Sequence, residues 1–244
     1  MANAGSNTVS VIAAATNTVA ATVPVGVKPK GVAVAPNVKH AYVTNASDGT
    51  VSVIQTSTNT VATTVGVGTS PFGVAVAPDG THAYVANKGS NNVSVIATAT
   101  NKVVATVTVG LKPIAVAITP DGIHAYITNA SSNNVSGIAT ATNTVTATVT
   151  VGLKPGGIAV TPDGTQAYVA NAKSNTDSVI DTAVVGTPIP VGNVPLGVAF
   201  ALDGKHAYVA NSGDGSVSVI RTAKKKVVAT VAAGIEPFGV GIMP

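Results

Sequence analysis

The five tyrosines of this chain, Tyr42, Tyr84, Tyr126, Tyr168 and Tyr208, stand 42, 42, 42 and 40 residues apart. A fixed period in this range restricts a chain to a propeller, a solenoid or an array of supersecondary units. One period, Gly73 to Val109, holds four short apolar runs. Run a is Gly73 to Ala77. Pro78-Asp79-Gly80 follows it, with Pro presetting φ, Asp able to bond its own backbone and Gly accepting φ > 0. Run b is Ala83 to Ala86, run c Val93 to Ile96 and run d Val103 to Val107. The runs are short and rich in Val, Ile, Thr and Tyr, with polar turns between them, which predicts strands. No 3.6-residue stripe of helix appears.

Four antiparallel strands per period make one small twisted sheet. Run a is apolar at every position, so both of its faces require cover. Sheets stacked so that each covers the next satisfy this, and the predicted fold is an all-β, six-bladed β-propeller of four-stranded blades. The approximate units are 26–67, 68–109, 110–151, 152–191 and 192–233, with 1–25 and 234–244 sharing a sixth blade in one propeller domain. The start supplies outer strands: Ala2-Asn3 matches the end of run b, Val9 to Ile12 is run c and Val19 to Val23 is run d. Phe238 to Ile242 supplies run a. A whole number of units needs six residues more than the 244 present, and alignment assigns the gap to the DGxxAY portion. The shared blade is therefore expected to be incomplete. Either the ring closes on a short strand, or the chain is a fragment of a longer seven-bladed one, or the open edge pairs with a second molecule. Unit four departs most from the consensus. Asp177 replaces the first Val of run c, the c–d turn at Asp181 to Gly186 is shortened, and Pro188 and Pro190 fall in run d. Such prolines belong on an outer edge strand.

The words Tyr42-Val43-Thr44-Asn45, YVAN at Tyr84 and Tyr208, YITN at Tyr126, NxVSVI and VGxxPxGVAV resemble the YVTN-type β-propeller repeat across essentially the whole chain. That resemblance implies a propeller and favours an extracellular or cell-surface location. It brings no catalytic motif.

Only 9% of residues are charged and 45% are hydrophobic, much of it Ala and Val, as stacked sheets require. No apolar run approaches the ~18 residues of a membrane span. The chain has no cysteine, which excludes disulfides and thiolate metal sites. No basic and apolar leader precedes the repeats. The net charge is +4, but thirteen basic residues are spread over the chain without aromatics between them. Nucleic-acid binding is not expected, because single-strand platforms set aromatics beside a basic groove.

Several residue types recur in register. His40, His82, His124 and His206 each stand two residues before a tyrosine, with Gln166 in the remaining copy. They read as turn residues too far apart for metal ligation. Asp79, Asp121, Asp163 and Asp203, with Asn37, read as Asx-turn residues. Lys28, Ser70, Lys112, Lys154 and Glu236 share the loop before run a, with Val194 in the sixth copy. On a propeller this loop borders the channel mouth, and the lysines make it a ligand-binding candidate for a small anion or glycan. Arg221 and Lys224-Lys225-Lys226 form a basic rim turn. Asn45, Asn92, Asn129 and Asn134 open N-x-S sequons on turns expected to be exposed.

No catalytic, cofactor or metal constellation emerges. The sequence reading is a non-catalytic surface, structural or protein-interaction scaffold, not an enzyme. Its expected partners are a second copy, through the incomplete blade, and a surface protein or glycan. A binding module for an anionic or glycan ligand is the alternative. A lyase- or lactonase-type propeller enzyme ranks last, because the histidines lie on the face opposite the lysine loops.

Overall fold

The computed structural model describes residues 1–181 and 184–241. Strands account for nearly all regular structure, and among the described residues the one helical turn is Thr222–Lys224. The chain divides into two compact units, residues 1–116 and 117–244.

The first unit opens with a three-stranded sheet of β1 (Ala2–Asn3), β2 (Thr8–Ala13) and β3 (Thr18–Pro24). Two four-stranded sheets follow. One contains β4 (Pro29–Val34), β5 (His40–Asn45), β6 (Thr50–Gln55) and β7 (Thr60–Gly66). The next contains β8 (Pro71–Val76), β9 (His82–Asn87), β10 (Asn92–Ala97) and β11 (Lys102–Thr108). A fourth sheet holds β12 (Pro113–Ile118), β13 (His124–Asn129), β14 (Asn134–Ala139) and β15 (Thr144–Thr150); its first strand spans the division between the units.

The second unit continues with β16 (Pro155–Val160), β17 (Gln166–Asn171) and β18 (Thr176–Asp181). Their outer partner is split into β19 (Val184–Val185) and β20 (Ile189–Pro190), both paired with β18. Pro188 and Pro190 thus lie along the sheet edge, where a missing amide donor costs no ladder bond. The last sheet is β21 (Pro195–Phe200), β22 (His206–Asn211), β23 (Ser216–Arg221) and β24 (Lys226–Ala232). The fold class is the expected one: all-β, six propeller blades, one of them incomplete. Thr182 and Ala183 of the shortened turn, and Ile242 at the end of the last run a, lie outside the described residues. Phe238 to Gly241 were expected to continue as a strand and carry no strand pairing. Their backbone nevertheless packs on β21 as an inner strand would. A Cβ on Gly197 would meet the Phe238 carbonyl at 2.7 Å, just as one on Gly31 would meet the Phe72 carbonyl at 2.5 Å. This is why glycine stands two residues after the inner-strand proline at Gly31, Gly73, Gly157 and Gly197, where a Cβ would strike the neighbouring backbone; Ala115 takes the place in the fourth sheet.

The repeated NxVSVI word is also structural. In the five complete sheets the asparagine closing the second strand is buried, and its Nδ2 donates to two groups on the third strand. Asn45 reaches Thr50 Oγ1 at 3.0 Å and Ser52 Oγ at 2.9 Å; Asn171 reaches Thr176 Oγ1 at 3.2 Å and Ser178 Oγ at 2.9 Å. Two of the sequon asparagines, Asn45 and Asn129, are therefore fully buried, which corrects the expectation that all four are exposed. A side chain spent inside the blade leaves no amide for a glycan.

Neighbouring sheets share one core. In the first unit Tyr42, Val51 and Val53 of one sheet pack with Ala83, Val85 and Ile96 of the next. In the second, Tyr168, Ala170 and Val179 pack with Val198, Ala207, Val209 and Ile220.

Candidate active site

The loops before the inner strands hold the lysine positions. Lys28, Ser70, Lys112, Lys154, Val194 and Glu236 all adopt left-handed backbone, with φ between 49° and 54°, and all are exposed. Their amides are committed locally. Within the first unit, Lys28 N–H donates to Asn7 Oδ1 at 3.0 Å and Lys112 N–H to Asn91 Oδ1 at 2.9 Å. Within the second, Lys154 N–H donates to Asn133 Oδ1 at 2.9 Å and Val194 N–H to Asn175 Oδ1 at 3.0 Å. The left-handed turn is thus common to all six copies whichever side chain it carries, and in four of them, Lys28, Lys112, Lys154 and Val194, an asparagine holds its amide. Gly49 and Gly215 stand where that asparagine would be for Ser70 and Glu236.

The turn aspartates make the bonds their spacing predicts. Asp79 accepts from Thr81 N–H at 2.9 Å, Asp163 from Thr165 N–H at 3.0 Å and Asp203 from Lys205 N–H at 2.9 Å. Among the described residues, no three His, Cys, Asp or Glu side chains gather as a metal site.

One repeat carries something more. In the second unit, a cleft of about 500 Å³ opens between the fourth and fifth sheets. Its polar lining includes Asp121, His124, Tyr126, Gln166 and Asp181, and its apolar lining includes Ala167 and Ile180. The turn before β13 brings Asp121 and His124 together. Thr119 Oγ1 donates to Asp121 Oδ1 at 2.5 Å, and Ile123 N–H donates to the same oxygen at 3.0 Å. The His124 amide is anchored on Thr119 Oγ1 at 3.1 Å. The hydrogen bond from Thr119 holds the Asp121 carboxyl below the usual carboxylate range, with the Ile123 amide and the His124 ring adding to it. Asp121 is therefore ionised at neutral pH.

The His124 ring stacks on Tyr126, with centroids 6.3 Å apart and planes 20° from parallel. Strand geometry explains this: residues two apart share a face. Burial, and then the Asp121 charge, raises the Tyr126 hydroxyl's pKa, so it remains a proton-bearing donor. An anion, an imidazole and a phenol thus border one cleft with an apolar floor. Such a set can move a proton and donate to a developing negative charge.

The sequence reading placed His124 and Asp121 as two more copies of a turn motif. The signal that sets this copy apart is VSGI at Val135 to Ile138, where the other copies read VSVI or its DSVI variant. Gly137 stands directly opposite Tyr126 in the β13–β14 register.

A family profile described as "Lactonase, 7-bladed beta-propeller" matches residues 5–149 of the chain. No curated protein matches it. Among solved structures, Kuenenia stuttgartiensis hydrazine synthase aligns with 97% of this chain and 84% of its own, at 24% identity and a TM-score of 0.87. A functionally unknown protein from Desulfotomaculum acetoxidans DSM 771 aligns over 98% and 96% of the two chains, at 17% identity and a TM-score of 0.78. These likenesses establish the propeller fold; a surface-layer assignment finds no support in them. The profile match overturns both the expectation of a non-catalytic scaffold and the expectation that the chain is not an enzyme. The physical source of the error is that each histidine was weighed as a member of a periodic set. The cavity beside His124 is a tertiary feature that this periodic reading does not contain.

Proposed function

This chain belongs to the lactonase, seven-bladed β-propeller family, and from that premise we propose that it is a lactonase-type hydrolase whose active site is the Asp121–His124–Tyr126 cleft. The observation that carries the placement is the convergence of an ionised carboxylate, an imidazole and a protonated phenol on one cleft of substrate size. The chain has six sheets where the family is named for seven. The site lies within a single pair of neighbouring sheets, so the proposal does not depend on blade number.

In the proposed reaction His124 accepts a proton from a water molecule as its oxygen attacks the lactone carbonyl carbon. Asp121 lies beside the imidazole and stabilises the cation that forms. Tyr126 Oη and the Gln166 side-chain amide supply donors for the tetrahedral oxyanion, the group whose stabilisation dominates acyl transfer. Collapse breaks the ring C–O bond. The imidazolium returns its proton to the departing alkoxide, and a hydroxy acid leaves.

The test is hydrolysis of γ-butyrolactone and alkyl-substituted γ-lactones, followed by acid release. H124Q is expected to lower kcat/KM by about 10²-fold or more, with an unchanged circular dichroism spectrum. An unaffected H124Q enzyme removes His124 from the mechanism. A native protein that opens no lactone removes the proposal itself.

A further inference from the structure

Gly137 is a glycine that neither the backbone nor crowding requires. Its φ is outside the left-handed region. A Cβ built on it would lie 3.5 Å from Tyr126 Cε1 and 3.6 Å from Ala147 Cβ, which is ordinary van der Waals contact. Gly31 differs, because its Cβ would collide with backbone. In the other complete sheets the residue paired with the tyrosine is valine: Val53 with Tyr42, Val95 with Tyr84, Val179 with Tyr168 and Val219 with Tyr208. Val53, Val95 and Val179 are fully buried between sheets, and their tyrosines are at most 1% exposed. Tyr126 is half-buried instead and forms part of the cleft wall. Tyr208 is also half-buried, but Val219 fills the space opposite it.

The space vacated by the missing side chain is therefore continuous with the cleft that holds His124. Tyr126 and Ala147 border it, and Ala167 and Ile180 of the facing sheet line the same cleft. These four are apolar surfaces apart from the phenol oxygen, and the nearby Thr146 hydroxyl is committed to the Gly137 carbonyl at 3.3 Å. Water gains few hydrogen bonds there, and an alkyl group gains contact on several sides.

We infer that Gly137 opens a specificity subsite that accepts an alkyl substituent of the substrate about the size of a valine side chain, so that the preferred lactones are alkyl-substituted and uncharged at that position. This rests on the lactone-hydrolase reading of the same cleft. Gly137 acts by the volume it leaves and takes no part in proton transfer.

The experiment compares γ-butyrolactone, which has no substituent, with γ-heptalactone, which carries a propyl group, on the native protein, G137A and G137V. The native protein is expected to have the higher kcat/KM for γ-heptalactone. G137V is expected to lose roughly tenfold or more on γ-heptalactone while keeping its rate on γ-butyrolactone, with G137A intermediate. Equal losses on both substrates, or no change in their ratio, overturn the subsite and leave the lactonase reading standing. G137A carries the comparison if G137V does not fold. Should the native protein open neither lactone, the lactonase reading falls, and NMR of the Tyr126 ring decides the subsite separately. Perturbation by γ-heptalactone in the native protein but not in G137V upholds it; no perturbation overturns it.

Discussion

Asp177 is the residue most at odds with its surroundings. It occupies a third-strand position where the other blades carry Val51, Val93, Val135 and Val217, and it is completely buried. Neither carboxyl oxygen finds a hydrogen-bond partner of ordinary geometry, although the nearby Val169 amide offsets some of the penalty. Burial pushes its pKa up to about 8. The neighbouring Tyr168 hydroxyl is buried and unpartnered as well, and burial with the Asp177 charge pushes it up to about 12. Below about pH 4 the Asp177 carboxyl is protonated in both the folded and the unfolded chain and carries no charge penalty. Between about pH 4 and pH 8 only the unfolded chain ionises, so stability falls as pH rises, by on the order of 5 kcal/mol in total. Urea unfolding measured from pH 4 to pH 9 should show this decline. D177V should flatten it and raise stability at the alkaline end, since valine fits the same position in other blades. A D177V protein with the native pH dependence would show that another group is responsible. The same comparison of one residue with its equivalents applies at Gly137. G137V should raise the unfolding free energy by about 1 kcal/mol or more, through lost chain entropy and added burial.

At the scale of elements, the turn before each inner strand holds a residue with φ > 0, and at Lys28, Lys112, Lys154 and Val194 an asparagine of the preceding sheet holds its amide. Left-handed backbone costs a non-glycine residue about 1 kcal/mol. K154G should therefore gain up to about 1 kcal/mol, while N133A should lose about 1 kcal/mol by stranding the Lys154 amide. Urea midpoints for the two single variants check both signs. A loss of stability in K154G would mean that the lysine side chain contributes more than its backbone costs. The outer strands follow a different rule. The fifth sheet accepts Pro188 and Pro190 because β19 and β20 form an edge, and an edge amide needs no partner within the sheet.

At the scale of the molecule, stability resides in cores that no sheet owns alone. Tyr42 and Val53 of one sheet meet Val85 and Ile96 of the next in a single cluster. V53A and I96A should each destabilise by about 2 kcal/mol or more. Because they drain the same core, their effects should depart from additivity by about 0.5 kcal/mol or more. Strict additivity in a double-mutant cycle would show that the two sheets are buried independently.

The period of the tyrosines, the apolar runs and the turn residues determined the class of fold from sequence alone. Each strand repeats a local pattern of short-range preferences, and a pattern repeated every 42 residues has few ways to bury run a on both faces. The incomplete blade was legible for the same reason, as a shortfall against that period. Repetition concealed the candidate site just as effectively. Asp121, His124 and Tyr126 are spelled like their counterparts in other blades, and nothing in their local sequence distinguishes a turn residue from a proton carrier. The difference arises across the sheet, where Gly137 lies opposite Tyr126, and between sheets, where Ala167 and Ile180 complete the lining. Those neighbours are distant in sequence, so only tertiary packing decided that His124 borders this cleft. The loop before each inner strand divides in the same way: its side chain changes from copy to copy, as the sequence shows, but only the folded backbone shows that Lys, Ser, Val and Glu alike take the left-handed turn there.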